Sequence, residues 1–301
     1  MKTITEAKTL TYSLYENYIK ALKENYPDLK ITTCGKSVLG REIYALVLGN
    51  GNKNILYVGG THGLEWLTSL LLLRFTENLL WANKTNNTIS GFNINDILKN
   101  IKLIIIPEIN PDGIEIAIRG AFGCKELSDE NLKNICKNNY TQWSANARGV
   151  DINHNFNADW YTLREAEKNA GINGPSPKRY GGPFPESEPE TAAITRLLRE
   201  IPVELLISFH SQGEEIYYEF GKNTPERAFN IAKILSALSG YELLKNQGLA
   251  FGGGLKDWFI EEFKKPGFTI EIGKGTNPLP VEKLDEIYNR LESTMVTGLM
   301  F

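Results

Sequence analysis

The feature that most constrains the fold is a run of six residues, Ile-Lys-Leu-Ile-Ile-Ile, at positions 101–106. It is too short for a helix and nearly continuous in apolar character. A strand of that kind needs cover on both faces, which only a sheet between two layers provides. Similar strand-like runs occur at 42–48, at 54–58 just before Gly59-Gly60, at 203–209 and at 268–272. Between them lie stretches with helical spacing: 5–25, stopping near Pro27, the Leu-rich 64–81, then 190–200, 226–239 and 281–297. Strands alternating with helices predict an α/β layered fold with a mostly parallel sheet. The Pro- and Gly-rich stretch 171–189 reads as a long surface loop. No repeat or low-complexity linker divides the chain, so residues 1–301 read as a single domain.

Composition closes off several function classes. Hydrophobic residues make up 42%, charged residues 23%, and the net charge is −3. That is too apolar and too balanced for a disordered chain, and it lacks the basic footprint of a nucleic-acid binder. The longest greasy stretch, Leu64 to Leu73, contains Glu65 and ends at Arg74, so it predicts no membrane span. Three cysteines, Cys34, Cys124 and Cys136, cannot all pair and suit a reducing compartment. The opening MKTITEAKTL has no apolar signal core. A cytoplasmic location is expected.

The chemistry concentrates in the three histidines of the chain, His62, His154 and His210. His62 lies just past a strand in Gly59-Gly-Thr-His-Gly-Leu-Glu65, and His210 directly follows the run 203–209. Glu271 falls at the end of the last strand. Open α/β sheets bind ligands at the carboxyl ends of their strands, so His62, Glu65, His210 and Glu271 could converge on one edge. Two histidines and a carboxylate form a ligand set that catalytic zinc uses, with one position left for water. The spacing His62-x-x-Glu65 alone would be weak evidence, since such pairs occur by chance.

Two further segments, Asn146-Ala-Arg-Gly-Val-Asp-Ile-Asn-His-Asn-Phe156 and Asn110-Pro-Asp-Gly113, complete a set that resembles the zinc carboxypeptidase family. The motifs follow the family's order along essentially the whole chain. The resemblance implies an α/β sandwich with a mixed, mostly parallel eight-stranded sheet and helices on both faces. It implies one Zn2+ per chain, with His62, Glu65 and His210 as ligands. It casts Glu271 as the general base that activates the metal-bound water and later protonates the leaving amine. Arg148 becomes the residue that polarises the scissile carbonyl, and Asp151 the partner that orients a ligand histidine. Asn153, His154, Ser211, Glu215 and Gly253 are expected to bind substrate.

Two departures narrow the expectation. The family's substrate-anchoring pair is usually Asn-Arg, whereas this chain has Asn153-His154. A histidine grips a terminal carboxylate less well than the bidentate fork of arginine. The loop Gly248 to Trp258 also lacks the tyrosine of digestive members; Leu249 and Phe251 fall nearest. With the segments 208–218 and 253–259, these departures resemble bacterial γ-D-glutamyl-diamino acid peptidases. Those enzymes cut the γ-D-Glu–meso-diaminopimelate bond of peptidoglycan stem peptides, and some carry LysM repeats, which this chain lacks. The expected partner is thus a peptidoglycan-derived peptide or soluble muropeptide, with neither nucleic acid nor membrane. Glu214-Glu215 could be an ordinary solvated pair, but just after His210 a carboxylate could meet the extra ammonium of a diamino acid. The alternatives are a carboxypeptidase that trims a C-terminal residue, and an inactive relative that binds wall peptide.

Overall fold

In the computed structural model, which describes residues 3–124, 129–136, 139–245 and 248–301, the run 101–106 is a strand buried on both sides. Leu103 and Ile105 join one core, and Ile104 and Ile106 join a second core on the opposite face. Ile55 and Tyr57 face the first core, Leu56 and Val58 the second. This period-two alternation in a wholly apolar run is the signature of a sheet sandwiched between layers.

In chain order the strands are β1 (Lys30–Lys36), β2 (Glu42–Leu48), β3 (Lys53–Val58), β4 (Thr88–Ile89), β5 (Phe92–Asn93), β6 (Ile101–Ile106), β7 (Val203–His210), β8 (Glu215–Tyr217), β9 (Glu242–Leu244) and β10 (Gly267–Glu271). Strands β4 and β5 form a separate hairpin. The other eight form one mixed sheet in the order β1-β2-β6-β3-β7-β10-β8-β9. The pairings β3–β6, β3–β7, β7–β10 and β8–β9 are parallel; β1–β2, β2–β6 and β8–β10 are antiparallel. The first core gathers residues of the helices Tyr12–Asn25, Leu67–Thr85, Glu226–Ser239 and Leu284–Gly298. The second gathers residues of Pro189–Glu200 and Leu255–Phe263.

The expected strands and most helices stand where the periodicity put them. Residues 5–11 are the exception, because the first helix begins only at Tyr12, with the Thr11 side chain accepting from the Leu14 N–H. The preceding segment is held instead by Glu77, whose carboxylate accepts from the Ile4 and Thr5 amides and the Thr5 hydroxyl. Residues 171–189 contain no helix or strand up to Pro189, as a surface loop should. No helix among the described residues is long and apolar enough to cross a membrane.

Candidate active site

Three parallel strands, β3, β7 and β10, end at the same edge of the sheet. Register pairs Val58 with Ser208 and His210 with Glu271, so the turn after β3 lies beside the ends of the other two. His62 begins a single 3-10 turn over Gly63–Glu65, closed by the Glu65 N–H donating to the His62 carbonyl. Residues three apart eclipse in such a turn, and His62 Nδ1 stands 2.9 Å from Glu65 Oε1. His210 Nδ1 reaches the other oxygen, Oε2, at 3.1 Å. One carboxylate thus sits between two imidazoles, and the three donor atoms lie within 4.8 Å of one another.

The far side of each ring is occupied. His62 Nε2 lies 3.1 Å from Asp151 Oδ1, and His210 Nε2 lies 3.0 Å from Ser208 Oγ. Partners on the outer nitrogens leave both Nδ1 atoms directed at a common point, the arrangement that outer-shell groups impose on metal-binding histidines. The donor set and its orientation fit zinc.

The turn is held by the Asn110-Pro-Asp-Gly113 segment, which opens the helix Pro111–Arg119. The Asn110 side chain caps that helix by accepting from the Gly113 N–H, and donates to the carbonyls of Thr61 and Ala145. It therefore ties the His62 turn to the segment that carries Asp151. Gly63 packs so tightly that a Cβ would overlap the Gly113 carbonyl.

Three carboxyl groups, Glu65, Asp151 and Glu271, crowd the metal-binding end of the site. Burial alone would raise the Glu65 carboxyl, but the charge of His62 and the hydrogen bond from His210 bring it down to about 2. Burial likewise opposes ionisation of Asp151, and His62 with the Arg179 N–H holds it well below the usual range. Burial would lower His62, yet Glu65 and Asp151 raise it well above its ordinary value. Glu271 behaves oppositely: burial first, then the nearby charge of Glu65, push it well above the ordinary carboxylate range. A carboxyl so raised holds a proton more readily than an ordinary one, which suits a group that must both take and give a proton.

These groups line a cavity of about 270 Å³ with His62, Glu65, Asp151, Asn153, His154, His210 and Glu271 on its wall. Within it Asn153 Oδ1 accepts from the Leu255 N–H, and His154 Nδ1 lies 2.8 Å from the buried Glu167. Four expected site residues are not on the wall of that cavity. Arg148 lines a different cavity with Tyr180, Pro183 and Phe184, and its guanidinium is 3.5 Å from Glu188 Oε2. Arg148 does not line the cavity that holds Glu271. Ser211 is engaged with Asn277, and its amide donates to Glu65. Gly253 is buried at φ 68°, its amide donating to the Ala158 carbonyl and its carbonyl accepting from the Phe156 amide, which makes it a backbone clasp. Glu215 stands behind Tyr217, whose hydroxyl donates to Glu215 Oε2 at 2.7 Å.

The cavity wall also holds residues that sequence reasoning passed over: Ser144, Lys178, Arg179, Tyr217, Lys256, Asp257 and Thr269. Tyr217 supplies a phenol where the 248–258 loop has none. Alternation along β8 puts Glu215 and Tyr217 on one face, beside Thr269 and Glu271 of β10. Leu249 and Ala250 of that loop reach the cavity, whereas the Phe251 ring packs on Phe220 with centroids 4.9 Å apart. Lys256 and Asp257, two charges in the buried first turn of the helix Leu255–Phe263, were a visible signal.

Residues 15–293 match the zinc carboxypeptidase family, peptidase M14, and the chain belongs to it. It is a hydrolase of the metallopeptidase class, whose cofactor is zinc. It is 35% identical over 289 residues to gamma-D-glutamyl-L-diamino acid endopeptidase 1 of Lysinibacillus sphaericus, covering 96% of this chain and 72% of that protein. It is 32% identical over 302 residues to the uncharacterized protein YqgT of Bacillus subtilis (strain 168), covering 99% and 79%. The fold is that of carboxypeptidase A from Helicoverpa armigera, with TM-score 0.73 and 19% identity over 99% of this chain and 75% of the other.

Proposed function

We propose that the protein hydrolyses the amide bond between γ-D-glutamate and meso-diaminopimelate in peptidoglycan-derived peptides. His62, Glu65 and His210 would hold zinc, which would supply a Lewis acid and a water acidified toward ~7. Glu271 would serve through its carboxylate as the base toward the attacking water and would return the proton to the leaving amine. Its carboxylate has no hydrogen-bond partner among the described residues, so it is available to do both. Asp151 holds His62 in place, and Asn153, His154 and Tyr217 form the walls along which a peptide lies. Glu215, hydrogen-bonded to Tyr217, stands near enough to the cavity to attract the extra ammonium of a diamino acid.

The observation that carries the bond assignment is the 35% identity over 96% of the chain to an endopeptidase of that name. The cavity supports it: Lys178, Arg179 and Lys256 put three cations on the wall of the site, suited to a substrate rich in carboxylates. His154, paired to Glu167, is a weaker anchor for a C-terminal carboxylate than an arginine fork.

The test is product analysis by mass spectrometry. The zinc-loaded protein is given L-Ala-γ-D-Glu-meso-diaminopimelate, alone and extended by D-Ala. Release of L-Ala-D-Glu from both is the expected result. Loss of D-Ala alone would make the protein a carboxypeptidase, and no product from either peptide would refute both activities.

A further inference from the structure

The three cations on the cavity wall are not equivalent. Lys256 is buried and committed: its Nζ donates to the Glu219 carbonyl at 2.8 Å and pairs with Asp257. Lys178 and Arg179 are exposed on the cavity, and neither side chain has a hydrogen bond or ion pair with another described residue. Their backbone, by contrast, is firmly held. The Arg179 N–H donates to Asp151 Oδ2 at 2.8 Å, and the Asp151 N–H donates to the Tyr180 carbonyl at 2.8 Å. The Pro177 carbonyl accepts from the amides of Ser144 and Ala145 at 2.8 and 2.9 Å. The same Asp151 carboxylate orients His62 through its other oxygen. A fixed backbone therefore presents two uncommitted positive charges beside the metal-binding residues, in a cavity whose wall also carries the carboxyl groups of Glu65, Asp151 and Glu271.

We propose that Arg179, assisted by Lys178, binds a carboxylate carried by the acyl residue next to the scissile carbonyl. Resting on the function proposed above, this carboxylate is the α-carboxylate that glutamate leaves free when it is linked through its γ-carbon. An ordinary α-linked peptide has no charge at that point, because its α-carboxyl is consumed in the bond. The pair would therefore distinguish an isopeptide link from a main-chain one. It would also reject the α-amidated form, since a guanidinium facing a carboxamide loses the charge-assisted bond and gains no acceptor of equal strength. The arginine is suited to the task by its planar fork of donors.

The test uses product binding as well as turnover. Calorimetry measures L-Ala-D-Glu and L-Ala-D-isoglutamine, which differ only at the α-group, on the zinc-loaded protein and on its Lys178→Met/Arg179→Met variant. The wild type should bind the free acid at least about tenfold more tightly. The variant should lose that preference, with metal analysis and near-UV circular dichroism showing an intact site. Kinetics on the two corresponding tripeptides should show the same collapse of the kcat/KM ratio. A wild type that binds the two equally, or binds neither, overturns the proposal, as does a variant that keeps the wild-type ratio. If neither tripeptide is cut but the binding preference holds and disappears in the variant, the bond assignment falls and the carboxylate site stands.

Discussion

Replacing Asp151 with asparagine tests whether the groups behind the ligands set zinc affinity. The Asp151 carboxylate has three short contacts: Oδ1 lies 3.1 Å from His62 Nε2 and accepts from the Asn153 N–H at 3.1 Å, and Oδ2 accepts from the Arg179 N–H at 2.8 Å. Asparagine is nearly isosteric but has only one acceptor oxygen. If that oxygen faces His62, the new NH2 group confronts the Arg179 N–H, donor against donor. If the amide flips, His62 and Asn153 lose their acceptor. Either way at least one bond to a charged group is lost, about 1.5–3 kcal/mol. At about 1.4 kcal/mol per tenfold, and in line with the usual effect of removing such a partner, zinc binding should weaken by about 10–100-fold. Competition against a chromogenic chelator reads the affinity, and near-UV circular dichroism identifies conditions in which the variant is folded. A folded Asp151→Asn protein with zinc affinity within about twofold of the wild type would refute the role assigned to this carboxylate.

Two further outcomes are expected. Glu271→Gln should retain zinc but lose about a thousandfold or more in kcat; metal analysis beside steady-state kinetics checks both, and substantial residual hydrolysis would remove Glu271 from the role of base. Glu190, buried beneath the Val38 amide and Asn146, has its carboxyl raised by burial to about 7. The folded state therefore favours its protonated form, and that contribution is complete below the unfolded value of 4.5 and lost as pH rises through about 7. Glu190→Gln removes the penalty, which amounts to about 3 kcal/mol, less about 1 kcal/mol for a mismatched contact with Asn146. Urea unfolding should show the variant gaining on the wild type between pH 5 and pH 8, and a difference that does not change with pH would contradict this.

The layered α/β fold was legible because the decisive strands are buried on both faces. Their apolar runs at 42–48, 54–58, 101–106, 203–209 and 268–272 stand out without any knowledge of neighbours. Strands at the sheet margin were less visible: β1 mixes Lys30, Thr32, Thr33 and Gly35 with its apolar residues, and β8 and β9 have three residues each. Edge strands need not be apolar on both faces, so periodicity cannot find them. Residues 5–11 misled for a related reason, since their polar contacts run to Glu77, far along the chain.

The candidate site divides in the same way. His62, Glu65, His210 and Glu271 could be picked out from sequence because metal chemistry restricts the residue types and strand ends restrict their places. Tertiary structure alone decided which cations reach the cavity. Arg148 lies three residues before Asp151 yet faces Glu188, while Arg179, 28 residues away in sequence, is brought to the wall by the hydrogen bond its backbone N–H donates to the same aspartate. Spacing along a loop carries no information about side-chain direction, because loop backbone has neither the 3.6 period of a helix nor the two-residue period of a strand.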